Sequence, residues 1–180
     1  MKFLFVNEFE IDLKTSKKLN ILLKKCFPDT EFKDRDYFKQ LPHYRILAME
    51  GDHLIGQIAI DFRVMNLNNE ALKIFGVIDL CVDPEFRGKE IGKKLMLEFE
   101  SIAKKNPERI DFLFLVTDRP EYYQEIGYEI TTIKTTWLKI DQHINYGIGT
   151  EKITDATFMI KPNSDKVWSD GKLDLLGYMY

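Results

Sequence analysis

One run of this 180-residue chain changes its period halfway along, and that run limits the possible folds more than any other feature. From Ala71 to Val82 the residues are almost continuously apolar. Such a run fits a strand covered on both faces, so a central strand is expected there. Pro84 removes a backbone donor and stops it. Beyond Arg87-Gly88-Lys89, apolar residues recur at Ile91, Leu95, Phe99 and Ile102, which is helical spacing. Lys93, Lys94, Glu98 and Lys104 fall on the wet side. A strand passing into a helix this way leaves backbone N–H groups, a positive dipole end and a glycine at one spot. With Arg87, Lys89, Lys93 and Lys94 nearby, the spot suits a diphosphate. An ordinary helix start with a solvated basic face fits the spacing equally well.

The rest of the chain is a mixture of strands and helices. Met1 to Val6 is apolar only briefly before Asn7 and Glu8. It reads as a first or edge strand, too short for a signal peptide or a membrane span. A helix is expected after Thr15-Ser16, with Leu19, Leu22, Leu23 and Phe27 in period and Pro28 as its stop. Residues 29–40 read as a short helix or a loop. Strands are expected over Tyr44–Glu50 and His53–Val64, with Gly51-Asp52 turning between them and Gly56 marking a bulge. Asn106-Pro107 ends the helix that begins near Ile91. Ile110–Val116 is a buried-type strand, and Glu121–Ile126 a short helix closed by Gly127. Tyr128–Ile140 reads as one Thr- and Ile-rich strand, and 156–161 and 173–179 as two more. The order predicts an α/β fold, a mixed central sheet flanked by helices. No repeat or linker composition divides it, so residues 1–180 are read as a single domain.

Composition narrows the function classes. Hydrophobic residues are 44% and charged residues 31%, enough for a globular core. A net charge of −3 gives no basic surface for nucleic acid. Cys26 and Cys81 lie far apart with no metal-ligand spacing to a histidine, so reduced thiols in a cytoplasmic protein without a metal are expected.

The string Val82-Asp83-Pro84-Glu85-Phe86-Arg87-Gly88-Lys89-Glu90-Ile91-Gly92 resembles the acetyl-coenzyme A loop of the GNAT superfamily of N-acetyltransferases. Arg87 matches the first position of that pattern and Gly92 the last, whereas Glu90 replaces the middle glycine. Tyr122-Tyr123-Gln124-Glu125-Ile126-Gly127-Tyr128 resembles a second stretch of the family, Phe-Tyr-x-x-x-Gly-Phe, in the right order. The tail, from Met159-Ile160-Lys161-Pro162 through Trp168 to Tyr178, is similar to the branch containing the aminoglycoside 2′-acetyltransferases, and only its fold is carried over.

The resemblance implies the GNAT acyl-CoA N-acyltransferase fold and acetyl-CoA as cosubstrate. The implied function is transfer of acetyl to a primary amine of a small molecule or peptide in a direct ternary complex. The cofactor would meet Leu80, Cys81 and Val82 on the strand and Arg87, Gly88, Lys89, Glu90, Ile91, Gly92 and Lys93 on the loop. Tyr123 would be the acid that protonates the departing thiolate, because a phenol and a thiol have comparable pKa values. Packing on the sheet is its other reading. Asp79, the only carboxylate within Ile74–Val82, is the candidate base, with a salt bridge or strand-end hydrogen bond as the alternative. His43 could line a cleft, though a surface role fits better. His53 and His143 lie in polar stretches, and Cys81 reads as buried packing. Acceptor contacts are expected from Phe32–Phe38 with Asp34, Asp36 and Tyr37, from Arg63–Asn69 and from the tail. Two rivals remain: a non-catalytic acyl-CoA-binding domain on the same fold, and a transferase of longer acyl chains. A homodimer is left open.

Overall fold

The computed structural model describes residues 1–30, 32–154 and 156–180. The chain begins with strand β1 (Lys2–Asn7), a 3-10 turn (Glu8–Glu10) and helix α1 (Leu13–Cys26). Helix α1 starts at Leu13, two residues before the Thr15-Ser16 signal. Asp12 caps it, its carboxylate accepting from the Thr15 N–H at 2.7 Å, which satisfies one of the donors a helix start leaves over. Its apolar stripe, Leu19, Leu22 and Leu23, is buried, and Pro28 follows the last turn. No helix forms among the described residues of 29–40. Two backbone carbonyls there, of Lys33 and Arg35, accept from the Asn20 side chain of α1.

Strands β2 (Tyr44–Glu50), β3 (His53–Leu67) and β4 (Glu70–Val82) follow. The register of β2 on β3 shifts between Ala48↔Gly56 and Met49↔Leu54, so the bulge falls beside Gly56 as expected. A Cβ on Gly56 would stand 3.0 Å from the Cys81 carbonyl oxygen of β4, so this glycine eases the close approach of β3 and β4. A 3-10 turn (Pro84–Phe86) leads to helix α2 (Ile91–Lys104). Next come β5 (Phe112–Thr117), the short helix α3 (Pro120–Gln124), β6 (Glu129–Thr131), β7 (Lys134–Asp141), β8 (Ile144–Lys152), β9 (Thr157–Pro162) and β10 (Lys172–Tyr178). The strand expected over Tyr128–Ile140 is therefore two strands. It breaks at Thr132-Ile133 because β6 pairs with β9, whereas β7 pairs with β8 and β10.

The described residues form two compact units, one of Met1–Asp61 and Ile78–Ile102, the other of Phe62–Val77 and Ala103–Tyr180. In the first, β1 pairs antiparallel with β2, and β2 with β3. Leu47, Leu54 and Cys81 pack there with Leu19, Leu22, Leu23 and Phe32. In the second, the strand order is β6-β9-β5-β4-β3-β10-β7-β8. β4 runs parallel to β5 from Ile74↔Phe112 to Val77↔Leu115. Its core includes Met65, Leu72, Ile74, Phe112, Phe114 and Leu173. Parallel and antiparallel pairs in one sheet, with helices in the crossovers, make this a mixed α/β fold.

Candidate active site

In the first unit, β4 hands over to α2 through a turn that its own residues explain. Asp83 caps the 3-10 turn, accepting from the Glu85 N–H at 3.0 Å. Lys25 of α1 clamps the turn from outside, with Nζ 2.8 Å from the Asp83 carboxylate and 2.9 Å from that of Glu85. Gly88 then adopts φ +76° and Glu90 φ +57°. The Glu90 carbonyl accepts from the Lys94 N–H at 3.0 Å and so opens α2. Left-handed φ is cheap for Gly88, and it is strained for Glu90, which stands where the resembling loops carry glycine.

The loop residues predicted to meet the cofactor fall into three groups. Arg87, Gly88, Lys89, Glu90 and Lys93 are exposed, Gly92 is half-buried in the first turn of α2, and Ile91 is buried as that helix's anchor. Two cations are folded back onto the protein. Arg87 Nε donates to the Val82 carbonyl at 3.3 Å, and Lys89 Nζ lies 4.9 Å from the centre of the Phe86 ring.

Leu80, Cys81 and Val82 close β4. The Val82 carbonyl also accepts from the Cys26 thiol at 3.4 Å. Cys26 and Cys81, distant in sequence, are packed into one cluster, and a hydrogen bond between the thiols favours the Cys26 thiolate and disfavours that of Cys81. Asp79 has φ +48°, left-handed within a strand. Burial pushes its carboxyl up to about 6, against the pull of Arg45 and Lys39. Its backbone carbonyl accepts from Gln57 Nε2 at 2.5 Å. The salt bridge considered for Asp79 is not formed among the described residues, and the hydrogen bond is made by its backbone.

Gln57 belongs to a buried polar group that the sequence reading overlooked. Arg45 is 0% exposed and holds Glu8 in a two-point ion pair, Nε–Oε2 2.7 Å and Nη2–Oε1 2.9 Å. Its remaining bonds go to Gln57 Oε1 at 3.3 Å and to the Asp36 carbonyl at 2.8 Å. Nearby in the register, His43 Nδ1 lies 2.8 Å from the buried Asp61 carboxylate, so this histidine is anchored and not merely solvated. The sequence held a signal for all of these, since a charged or amide side chain inside an apolar strand must find partners.

The second unit carries Tyr123, in α3. Its ring is half-buried between Tyr122, centroids 5.0 Å apart, and Tyr128, 6.0 Å apart. Gly127, at φ +86°, ends the segment as expected. Burial pushes the Tyr123 phenol up and, less strongly, that of Tyr122. Tyr123 therefore stays protonated at neutral pH and is a weaker acid than a free phenol. Of the acceptor segments, Phe32 is core and Asp36 is buried, while Asp34 is open to solvent. Arg63 and the tail are packed on each other. The Arg63 guanidinium lies 4.4 Å from the Tyr178 ring centre and 4.8 Å from that of Tyr180, and Nη1 donates to the Tyr178 carbonyl at 2.8 Å.

Among the described residues no three His, Cys, Asp or Glu side chains cluster as a metal centre requires, and no helix is long and apolar enough to cross a membrane. The mixed sheet, with a strand that opens a helix through a left-handed, basic turn, has the acyl-CoA N-acyltransferase fold of its structural relatives. The chain belongs to the GNAT acetyltransferases: the family described as Acetyltransferase (GNAT) domain matches residues 11–131. An uncharacterized N-acetyltransferase of Methanocaldococcus jannaschii is 29% identical over 93 residues, covering 50% of this chain and 41% of that protein. The chain thus spans less than half the length of that curated relative. The fold is shared with a GNAT family N-acetyltransferase from Escherichia coli solved in complex with CoA, at TM-score 0.60 and 18% identity over 96% of this chain and 89% of that one. It is shared as well with an aminoglycoside 6′-N-acetyltransferase complexed with coenzyme A, at TM-score 0.57 and 14% identity over 92% and 99%. A GCN5-related N-acetyltransferase from Anabaena variabilis matches at TM-score 0.59 and 17% identity over 75% of this chain and 34% of its own.

Proposed function

We propose that the protein is an N-acetyltransferase that moves the acetyl group of acetyl-CoA to a primary amine of a small molecule or peptide in a ternary complex. The observation that carries this is the turn from β4 into α2. Gly88 at φ +76° brings backbone N–H groups to an exposed helix start, among Arg87, Lys89 and Lys93. Such a start suits a diphosphate. The coenzyme A complexes of two fold relatives support the same cofactor. Acetyl-CoA, when bound, supplies a thioester carbonyl that takes the amine nitrogen as its carbon–sulfur bond breaks.

The chain's own residues would do the rest. Arg87 leaves the Val82 carbonyl to meet phosphate, and the backbone of Leu80, Cys81 and Val82 holds the pantetheine arm. Asp79, with its carboxyl near 6, is ionised at neutral pH and takes the proton that an ammonium must lose before it attacks. Tyr123 gives its phenolic proton to the departing sulfur. A second reading, binding without turnover, is favoured by Glu90 at the glycine position and by the upward shift of the Tyr123 phenol. Thiol release from acetyl-CoA across a panel of primary amines, run beside a thermal melt with the cofactor, separates the two. We expect both a higher melting temperature and amine-dependent thiol. A raised melting temperature with no thiol from any amine selects the binding domain, and no shift at millimolar cofactor removes both readings.

A further inference from the structure

Arg45 and Gln57 are wholly buried in β2 and β3, and a guanidinium buried this deeply, with a partner in Glu8 that is only part-buried, needs a reason. Taking both charges out of water costs more than apolar residues of the same volume would, so packing alone does not call for the pair. The geometry gives it a direction. Arg45 stands opposite Ala59 and Leu47 opposite Gln57, so Arg45 and Gln57 share the sheet face that Leu47 turns toward α1. An arginine can only donate, and a backbone carbonyl can only accept. The Gln57 amide between them can therefore face one way alone, with Oε1 toward Arg45 and Nε2 toward the Asp79 carbonyl. The chain of contacts runs Glu8, Arg45, Gln57, Asp79. It ends on a residue held at φ +48°, a conformation that persists in a non-glycine residue only where its surroundings impose it.

We infer that Glu8, Arg45 and Gln57 are positioning residues for Asp79, the ion pair setting the charge its carboxyl feels and the amide holding its backbone in the left-handed turn. This rests on the reading of Asp79 as the base. The other charged group acting on that carboxyl is Lys39, from the segment before β2, and the carboxylate in turn helps to raise the Cys81 thiol of β4 itself. Glu8 balances Arg45. Removing the Glu8 charge leaves the guanidinium less compensated, which favours the Asp79 carboxylate and lowers its pKa.

The test measures that pKa directly. Protein labelled with carbon-13 aspartate is titrated by NMR, and the Asp79 signal is identified by its loss in Asp79→Asn. In Glu8→Gln, which keeps a hydrogen-bonding side chain for Arg45, the Asp79 titration should move down by about half a pH unit or more. The acid limb of kcat/KM should move with it. Arg45→Met should move both upward, and if that variant does not fold, Glu8→Gln decides alone. An unchanged or raised Asp79 titration in folded Glu8→Gln overturns the inference. A shifted titration with an unmoved acid limb upholds the positioning role and overturns Asp79 as the base.

Discussion

Glu90 holds a backbone conformation that glycine adopts without cost, at the position where the resembling loops carry glycine. Replacing it by Gly removes left-handed strain, offset in part by the greater freedom of glycine in the unfolded chain. The expected net gain is about 1 kcal/mol, which raises the melting temperature by about 2–4 °C for a chain of this size. The substitution also takes a carboxylate away from the exposed start of α2. Calorimetry at low salt should then show tighter acetyl-CoA binding, and weaker binding would mean that Glu90 makes a favourable contact. Tyr123 is tested by what a phenyl ring lacks. Tyr123→Phe keeps the contacts with Tyr122 and Tyr128 and removes only the hydroxyl. Its turnover should fall by about a hundred- to ten-thousand-fold, the usual contribution of a general acid. Tyr122→Phe should stay close to wild type, and equal turnover in all three proteins would assign the proton to water. Because burial raises the Tyr123 phenol, its ionisation should contribute no basic limb near neutral pH.

The elements themselves differ in how much of them could be read beforehand. Helix α2 was legible because Ile91, Leu95 and Phe99 keep one period and are buried, while Lys93, Lys94 and Glu98 are exposed. The start of α1 was misplaced by a few residues because Thr15, Ser16 and Asp12 are all capping types. The carboxylate of Asp12 takes that role by reaching the Thr15 N–H. Asp12→Ala should therefore cost about 1 kcal/mol, visible as a lower urea midpoint with an unchanged slope. Strand β8 was missed although its large residues alternate. Its Ile144, Tyr146 and Ile148 are exposed, and Gly149 lies under the Trp137 ring, where a Cβ would come within 2.6 Å of it. Such an alternation marks a strand but points to the wrong face, because here the large residues are exposed and the glycine is buried. The break between β6 and β7 was hidden, since a change of pairing partner leaves strand propensity unaltered.

At the scale of the whole molecule, the sequence by itself determined the GNAT family, the mixed α/β class and the turn from β4 into α2. Each of these is written in neighbouring residues, as a period, a stop or a short motif. Only the tertiary structure decided that β3 and β4 each supply residues to two compact units, a division that crosses strands and so leaves no linker to read. It also decided that Cys26 meets Cys81 and that Glu8, Arg45, Gln57 and Asp79 form one chain of contacts. These residues come from four separate strands and turns. Periodicity shows which face a residue takes, but the partner across that face is fixed only when strand register and packing bring distant segments together.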